Sequence, residues 1–169
     1  NARKNLSHDV EDFDFDVVHN QARNLWSEAL SEIVVEVGSE HDLRNFYTAI
    51  YHSKVVPNIM SDVNGQFRRH DMKVGILPEG EKYYSTFSIW DTFRAWNPLI
   101  TLTDTTLVNN IINSYLDMYD ASGELPIWPL SAGETNTMIG YHSVSVIADA
   151  YMKGIRGFDI AKAYEAMKV

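Results

Sequence analysis

The chain has 169 residues, of which 45% are hydrophobic and 22% are charged, and this composition is typical of one ordinary globular domain. The net charge of −9 argues against a general nucleic-acid binder, because binding to phosphate requires clustered basic residues and no run of Lys and Arg is longer than a pair such as Arg68–Arg69. The chain has no cysteine, which excludes disulfides, thiolate metal sites and a cysteine nucleophile. Its apolar runs are all much shorter than the roughly 20 residues of a membrane-spanning helix.

Apolar residues recur every three or four positions in six stretches of the chain, and this spacing predicts six helices. The first covers about residues 17–32, the second begins at Ser39 and ends before Pro57, and the third covers about 86–96 and ends before Pro98. The fourth runs from near Thr103 to Gly123, the fifth from about Met138 to Lys153, and the sixth begins after Asp159. At the start of the second helix, Ser39 and Asp42 resemble a capping box, with Asp in place of the usual Glu.

The stretches between the predicted helices are long and rich in turn residues. Asn64–Gly65 is a type I′ turn signal, which predicts a β-hairpin between residues 59–63 and 66–69. Residues 121–137 are predicted to form a loop. The sequence therefore predicts an all-α chain with long loops and one short β-hairpin. A long loop inside a compact domain is usually functional.

The usual metal and phosphate motifs are missing from the sequence. Asp12, Asp14 and Asp16 have the opening spacing of an EF-hand calcium loop. The sixth position of such a loop would be Val17 and the twelfth Arg23, where Gly and Glu are needed, so a solvated acidic stretch is the better interpretation. There is no His-x-x-x-His pair, no glycine-rich phosphate loop and no Gly-x-Ser-x-Gly elbow. We therefore predict no metal ligand within the chain.

Two long segments carry a resemblance to a known family. They are Ser-Thr-Phe-Ser-Ile-Trp-Asp-Thr-Phe-Arg at 85–94 and Glu-Thr-Asn-Thr-Met-Ile-Gly at 134–140. Shorter matching segments lie at 46–52, 57–65, 128–130 and 147–155. Together they resemble the signature segments of glycoside hydrolase family 92, the calcium-dependent exo-acting α-mannosidases. The resemblance covers nearly the whole chain in order.

The resemblance implies an (α/α)6 toroid, of which residues 1–169 would be a single N-terminal segment, with the rest of the catalytic domain expected beyond 169. The family's general acid and base segments are not found here and are expected downstream, so we assign no catalytic residue to this chain. The implied activity is hydrolysis of terminal α-linked mannose with inversion, with an α-1,2 linkage favoured because the family is best known for it. The alternatives are a non-catalytic helical scaffold or carbohydrate-binding piece, and another (α/α)6 glycosidase.

If the acid and base lie downstream, this chain should supply groups that hold the sugar. The matching segments point to six candidates, which are Trp90, Asp91, Glu134, Thr135, Tyr141 and His142. Trp90 would be a platform for the sugar ring and Asp91 an acceptor for a mannose hydroxyl. Five of the six also have a structural interpretation. Asp91 would be a local cap or a partner of Arg94, and Glu134 a solvated side chain beside Thr135 or Asn136 as a helix cap. Trp90 and His142 would be packed side chains.

The resemblance also implies a cofactor, partners and a location. Calcium is the expected cofactor, with ligands mostly outside this segment. The expected partner is a mannose-containing glycan, such as an N-glycan, with no nucleic acid and no membrane. Further partners are the remaining half of the catalytic domain, or a second copy bound through exposed helix faces. The location implied is extracytoplasmic: periplasmic, cell-surface or secreted.

Overall fold

The computed structural model describes residues 1–10, 13–36, 38–131 and 133–169. Asp12, part of the acidic run considered above, lies outside these ranges. The chain divides into two compact units, residues 1–56 and residues 57–169. Each unit is built around its own helices.

The first unit is helical in the residues that the structure describes. Its helices are α1 Ala2–Asp9, α2 Phe15–Leu30 and α3 Glu40–Ser53. The Asp14 carboxylate caps α2 by accepting hydrogen bonds from two backbone N–H groups of the first turn, at 2.9 and 3.1 Å. The predicted cap of α3 is confirmed, because Ser39 Oγ accepts a bond from Asp42 N at 3.2 Å and donates one to the Asp42 carboxylate at 2.8 Å. Helix α1 was not predicted, since it has no apolar stripe.

The second unit has its core around one long central helix. Its helices are α4 Ile89–Thr92, α5 Trp96–Thr103, α6 Thr105–Ser122, α7 His142–Met152 and α8 Ile160–Ala166. Helix α6 buries residues on several sides, with Ile112 and Tyr115 fully enclosed. Asp104 caps its first turn, and Gly123 ends it in the left-handed conformation at φ 87°. The predicted start and end of this helix are therefore confirmed.

Three short antiparallel strand pairs occur among the described residues of the second unit, in its long connections. The strands are β1 Asn58–Ile59, β2 Gln66–Arg68, β3 Val74–Ile76, β4 Tyr84–Ser85, β5 Pro129–Leu130 and β6 Gly133–Glu134. They pair as β1 with β4, β2 with β3 and β5 with β6. The predicted pairing of residues 59–63 with 66–69 is wrong, because β2 pairs with β3 instead. The predicted type I′ turn does not form either: Gly65 N donates to Asp62 O at 2.8 Å, so Val63 and Asn64 are the central residues of the turn, and Asn64 lacks the positive φ that type I′ requires.

Two predicted helix boundaries are wrong for reasons visible in the backbone. The helix predicted over 86–96 is instead the single turn α4, followed by the separate helix α5. Pro98 lies in the first turn of α5, where a missing N–H leaves no helical bond unmade. The helix predicted from Met138 begins at His142, because Met138 and Gly140 both have positive φ.

The predicted fold class, a helix-dominated chain with long loops, is confirmed. The toroid stays a prediction. Among the described residues, no helix is both long and apolar enough to cross a membrane.

Candidate functional site

Trp90 and Asp91 lie side by side on the short helix α4. The indole of Trp90 is half-buried, while the Asp91 side chain is exposed. The Ser88 hydroxyl donates a short hydrogen bond to one Asp91 carboxylate oxygen, which fixes the direction of the carboxylate. The Arg94 guanidinium lies 5.4 Å from the centroid of the Trp90 ring, a cation–π contact that restrains the indole. The local cap considered for Asp91 does not form, because the Ser88 side chain accepts no bond from a backbone N–H of α4 and instead contacts the Asp91 side chain. A carboxylate with one oxygen engaged has further acceptor capacity.

His142 begins helix α7 and is packed rather than free. Its ring stacks on Phe93, with centroids 3.9 Å apart and an interplanar angle of 7°. Gly140 is required beside it, because a Cβ at that position would lie 2.4 Å from His142 Nε2. This stack joins the start of α7 to the segment that follows α4.

The Glu134 carboxylate organises the loop that contains strands β5 and β6. Its Oε2 accepts a hydrogen bond from Ile127 N at 2.8 Å, and its Oε1 accepts from Trp128 N at 3.0 Å. The same Oε1 accepts from Thr135 N at 2.8 Å and from Asn136 N at 2.9 Å. One carboxylate thus satisfies backbone donors on both sides of the strand pair. Hydrogen bonds to a charged acceptor are the stronger ones in proteins.

Thr135 continues this loop at its exposed surface. Its hydroxyl donates to Trp128 O at 2.7 Å, and it makes a short contact with the Thr137 hydroxyl. The side chain of Trp128 is half-buried. The loop is therefore held by side chains of its own and presents Thr135 to solvent.

Tyr141 ties the same loop to the last helix. Its hydroxyl accepts a hydrogen bond from Leu125 N at 2.8 Å and donates to Ala166 O at 3.5 Å. Burial raises the pKa of the Tyr141 hydroxyl above its ordinary value, with the bond from Leu125 opposing that shift. Tyr141 is thus a neutral donor and acceptor that joins three segments.

The six sequence candidates come from three segments that the structure connects. The segments are α4, the β5–β6 loop and the start of α7. Phe93 links α4 to His142 through the ring stack, and Phe87 N donates to Pro129 O at 3.1 Å, which links the segment before α4 to β5. Asp91 and Thr135 are exposed, whereas Glu134 and Tyr141 are engaged with backbone groups.

Sequence reasoning missed a polar cluster near the β2–β3 turn. Arg69 Nε lies 3.3 Å from Asp117 Oδ1 on α6, and burial raises the pKa of Asp117 while Arg69 lowers it. Next to it, His70 is half-buried, and burial lowers the pKa of its ring more than the charge of Glu134 raises it. The sequence carries no local signal for these contacts, because the partners lie 48 or more positions apart in the sequence.

Among the described residues, no group of three or more His, Asp or Glu side chains could hold a metal ion. Several acidic side chains of the second unit are instead paired or cap a helix. Asp120 pairs with Lys162 at 2.7 Å, and Asp159 caps α8. The described part of the chain therefore does not fit a calcium site of its own.

Comparison with known proteins identifies the family. The family model described as "Glycosyl hydrolase family 92 catalytic domain" matches residues 1–169. The family GH92 α-mannosidase BT3965 from Bacteroides thetaiotaomicron is 38% identical and aligns with a TM-score of 0.91 over 99% of this chain and 22% of its own. The family GH92 inverting mannosidase BT2199 from the same organism is 33% identical, with a TM-score of 0.91 over 99% of this chain and 23% of its own.

A curated relative from the fungus Arthroderma benhamiae, named an uncharacterized secreted glycosidase, is 28% identical over 98% of this chain and 18% of its own length. The chain belongs to glycoside hydrolase family 92, as its sequence predicts. It spans about a fifth of the length of these relatives.

Proposed function

We propose that this chain is the sugar-binding segment of an exo-acting α-mannosidase that hydrolyses terminal α-linked mannose. The observation that carries the proposal is the pair Trp90 and Asp91, a half-buried indole beside an exposed and oriented carboxylate. A sugar site needs an apolar plane for the C–H face of the ring and placed polar groups for the hydroxyls, because unpaired polar groups discriminate strongly. Family membership supports mannose as the sugar, and BT3965 has been solved with mannoimidazole bound.

In this proposal Trp90 is the platform for the ring and Asp91 accepts a hydrogen bond from a mannose hydroxyl. Arg94 restrains the indole, and Ser88 holds one oxygen of the carboxylate. Both contacts exist before a sugar binds, so less side-chain freedom is lost on binding.

The other four candidates have different proposed roles. Thr135, being exposed, contacts a hydroxyl of the substrate. Glu134 and Tyr141 hold the loop that presents Thr135, through the backbone bonds described above. His142 supports the segment after α4 by stacking its ring on Phe93.

We propose hydrolysis with inversion and an α-1,2 linkage. An inverting hydrolase uses one carboxyl to protonate the leaving oxygen and another to activate water on the opposite face of the ring. The family's general acid and base segments do not occur in this sequence, so both groups are expected outside it. The printed description of BT2199 as an inverting mannosidase supports inversion.

Calcium assistance is proposed on the family resemblance alone. The described residues do not fit a metal site, so the calcium ligands are expected outside this segment. Calcium would supply positive charge beside the mannose hydroxyls. The residues of this chain would act by binding and orienting the same sugar.

A second candidate function is a non-catalytic scaffold or carbohydrate-binding piece. The observation in its favour is that two candidate side chains, Glu134 and Tyr141, bond to backbone groups of their own unit. The two functions differ in whether the full-length protein contains the acid and base carboxylates.

The proposed partners and location follow from the same family. The substrate is a mannose-containing glycan such as an N-glycan, and we propose no nucleic-acid or membrane partner. Phe15 and Leu25 on α2 are 80% and 67% exposed, which supports packing on the rest of the catalytic domain or on a second copy. The name of the fungal relative, a secreted glycosidase, supports an extracytoplasmic location.

The test is hydrolysis of α-1,2-linked mannobiose by the full-length protein, with calcium and then with a chelator, followed by NMR of the released anomer. Calcium-dependent release of β-mannose is the expected result. No release from any α-mannoside would refute the enzyme and favour the scaffold or binding function.

The role of Asp91 is tested with Asp91→Asn, which keeps the size of the side chain and removes its charge. Losing a hydrogen bond to a charged acceptor should lower kcat/KM by roughly 10- to 100-fold. The matched control is Glu165→Gln, which makes the same chemical change at an exposed carboxylate on α8 and should leave kcat/KM unchanged. Equal effects of the two variants would count against the assignment.

A further inference from the structure

The backbone of Thr86 adopts a conformation that threonine rarely takes. Its φ is 67°, in the left-handed region where a β-branched side chain crowds the neighbouring backbone. Glycine enters that region freely, and asparagine enters it more readily than most residues do. A strained residue of this kind persists only where the surrounding contacts hold its backbone in place, and such residues cluster at functional sites.

Strand β4 holds the chain just before Thr86. Ser85 is fully buried and pairs with Asn58 of β1. Tyr84 N donates to Ser114 Oγ at 3.0 Å, which anchors the strand to the central helix α6. The backbone on the N-terminal side of Thr86 is therefore fixed.

Phe87 holds the chain just after Thr86. Its N–H donates to Pro129 O at 3.1 Å. Its buried ring packs edge-on against Tyr115 of α6, with the ring centroids 4.9 Å apart. Thr86 thus lies between two fixed residues, and these tertiary contacts maintain its left-handed backbone.

The turn at Thr86 leads directly into the Trp90–Asp91 pair. Strand β4 ends at Ser85 and helix α4 begins at Ile89, so the chain changes from strand to helix within three residues. Helix α4 is a single turn, which is too short to be stable through its own hydrogen bonds. The direction of α4, and with it the position of the pair, therefore depends on the backbone that enters the helix.

The strain at Thr86 has no local explanation in its side chain. The half-buried hydroxyl bonds to no residue that the structure describes, although glycine or asparagine would fit this backbone with less strain. The strain is also concentrated near the candidate site. In the second unit, five described residues other than glycine have positive φ. Three of them lie in the two segments of the candidate site, 85–94 and 134–140, and these are Thr86, Asn136 and Met138.

We propose that Thr86 is a positioning residue, whose restricted backbone fixes the entry into α4 and so keeps Trp90 and Asp91 in place for the sugar. The proposal rests on the proposed function, which assigns the sugar to this pair. Few backbone conformations are open to a β-branched residue, whereas many are open to glycine. Glycine at this position would therefore release the strain and loosen the pair, so that sugar affinity falls without a loss of stability.

The test compares variants of the full-length protein by thermal unfolding and by hydrolysis of α-1,2-mannobiose. Thr86→Gly should melt at the same or a higher temperature, because the strain released exceeds the entropy cost of glycine. Its KM should rise roughly fivefold with kcat unchanged, because the pair binds the mannose and does not react with it. Thr86→Val keeps the branched shape and removes the hydroxyl, and it should match the natural protein in melting temperature, KM and kcat.

The matched control is Met72→Gly, which makes the same kind of change away from α4. Met72 also has a left-handed backbone, with φ 69°, but its side chain is exposed in the turn between β2 and β3. Released strain at this turn should leave KM unchanged.

Other results would overturn the proposal. An unchanged KM in Thr86→Gly would mean that this backbone does not position the pair. An equal rise of KM in Thr86→Val would mean that the hydroxyl contacts the sugar. A rise of KM in Thr86→Gly together with a lower melting temperature would mean that the residue acts through the stability of the fold. In each of these cases the natural protein still hydrolyses mannobiose and the proposed function stands, whereas a natural protein that hydrolyses no α-mannoside would refute both.

Discussion

Removal of the Glu134 carboxylate should destabilise the second unit strongly. The carboxylate accepts bonds from four backbone N–H groups, and a bond to a charged acceptor is worth about 1.5–3 kcal/mol. Thr135 and Asn136 are exposed, so water replaces the carboxylate there, whereas Ile127 and Trp128 are half-buried. Counting only the two half-buried donors, at the lower value each, Glu134→Ala should lower the free energy of unfolding by about 3 kcal/mol. Glu134→Gln should lower it nearly as far, because its amide NH2 would face other donors.

The assay is urea unfolding, together with amide hydrogen exchange at Ile127 and Trp128. Exchange at these two amides should speed up more in Glu134→Ala than exchange along α6. The matched control is Glu124→Ala, an exposed glutamate two residues after the end of α6, which should change stability by less than about 0.5 kcal/mol. If Glu134→Ala is as stable as this control, the carboxylate does not organise the loop, and a ligand role for it gains support.

Three further predictions concern the same unit. Gly75→Ala should lower the free energy of unfolding by about 1–3 kcal/mol, because the new Cβ would lie 2.4 Å from the buried ring of Phe67 on the paired strand. At Gly133 a new Cβ would meet no atom within 4 Å, so Gly133→Ala should leave the thermal unfolding unchanged. Tyr141→Phe should cost about 1 kcal/mol in urea unfolding by removing the hydroxyl that accepts a 2.8 Å backbone bond, while Tyr164→Phe, at an exposed residue, should not. Burial lowers the pKa of His70 below its ordinary value of 6.5, so the unfolded chain takes up the proton at a higher pH than the folded chain does. The free energy of unfolding should therefore fall as pH drops below about 6.5 and level off below the folded pKa. His70→Phe should flatten that part of a plot of stability against pH.

The helices were predictable wherever a local signal fixed both ends. Helix α6 has an apolar stripe, a capping aspartate and a terminal glycine, and all three act within one or two turns. The segment around α4 failed because Pro98 was taken as a helix end. In the structure it lies in the first turn of α5, and the sequence alone is compatible with either position. The strand pairs failed for a different reason, since β1 pairs with β4 across 25 residues and short-range turn signals do not reach that far.

The candidate site was predictable only as a set of segments. The resemblance located Trp90, Asp91 and the loop at 134–135, but it could not tell which side chains face solvent and which bond to the backbone. That distinction depends on contacts such as the one between Tyr141 and Leu125, which are made by folding. His70 carried no signal at all, because its surroundings are brought together from residues 118–136.

The structure separates two kinds of carboxylate that the sequence treats alike. Glu134 is surrounded by backbone donors, and a sugar hydroxyl could reach its oxygens only by displacing bonds that hold the loop. Asp91 is exposed and shares one oxygen with a single serine hydroxyl. A ligand hydroxyl at Asp91 replaces water, whereas at Glu134 it would replace bonds within the protein, and the second exchange costs more free energy. A glycan should therefore select Asp91 as its acceptor, and Glu134 should affect binding only through the shape of the loop.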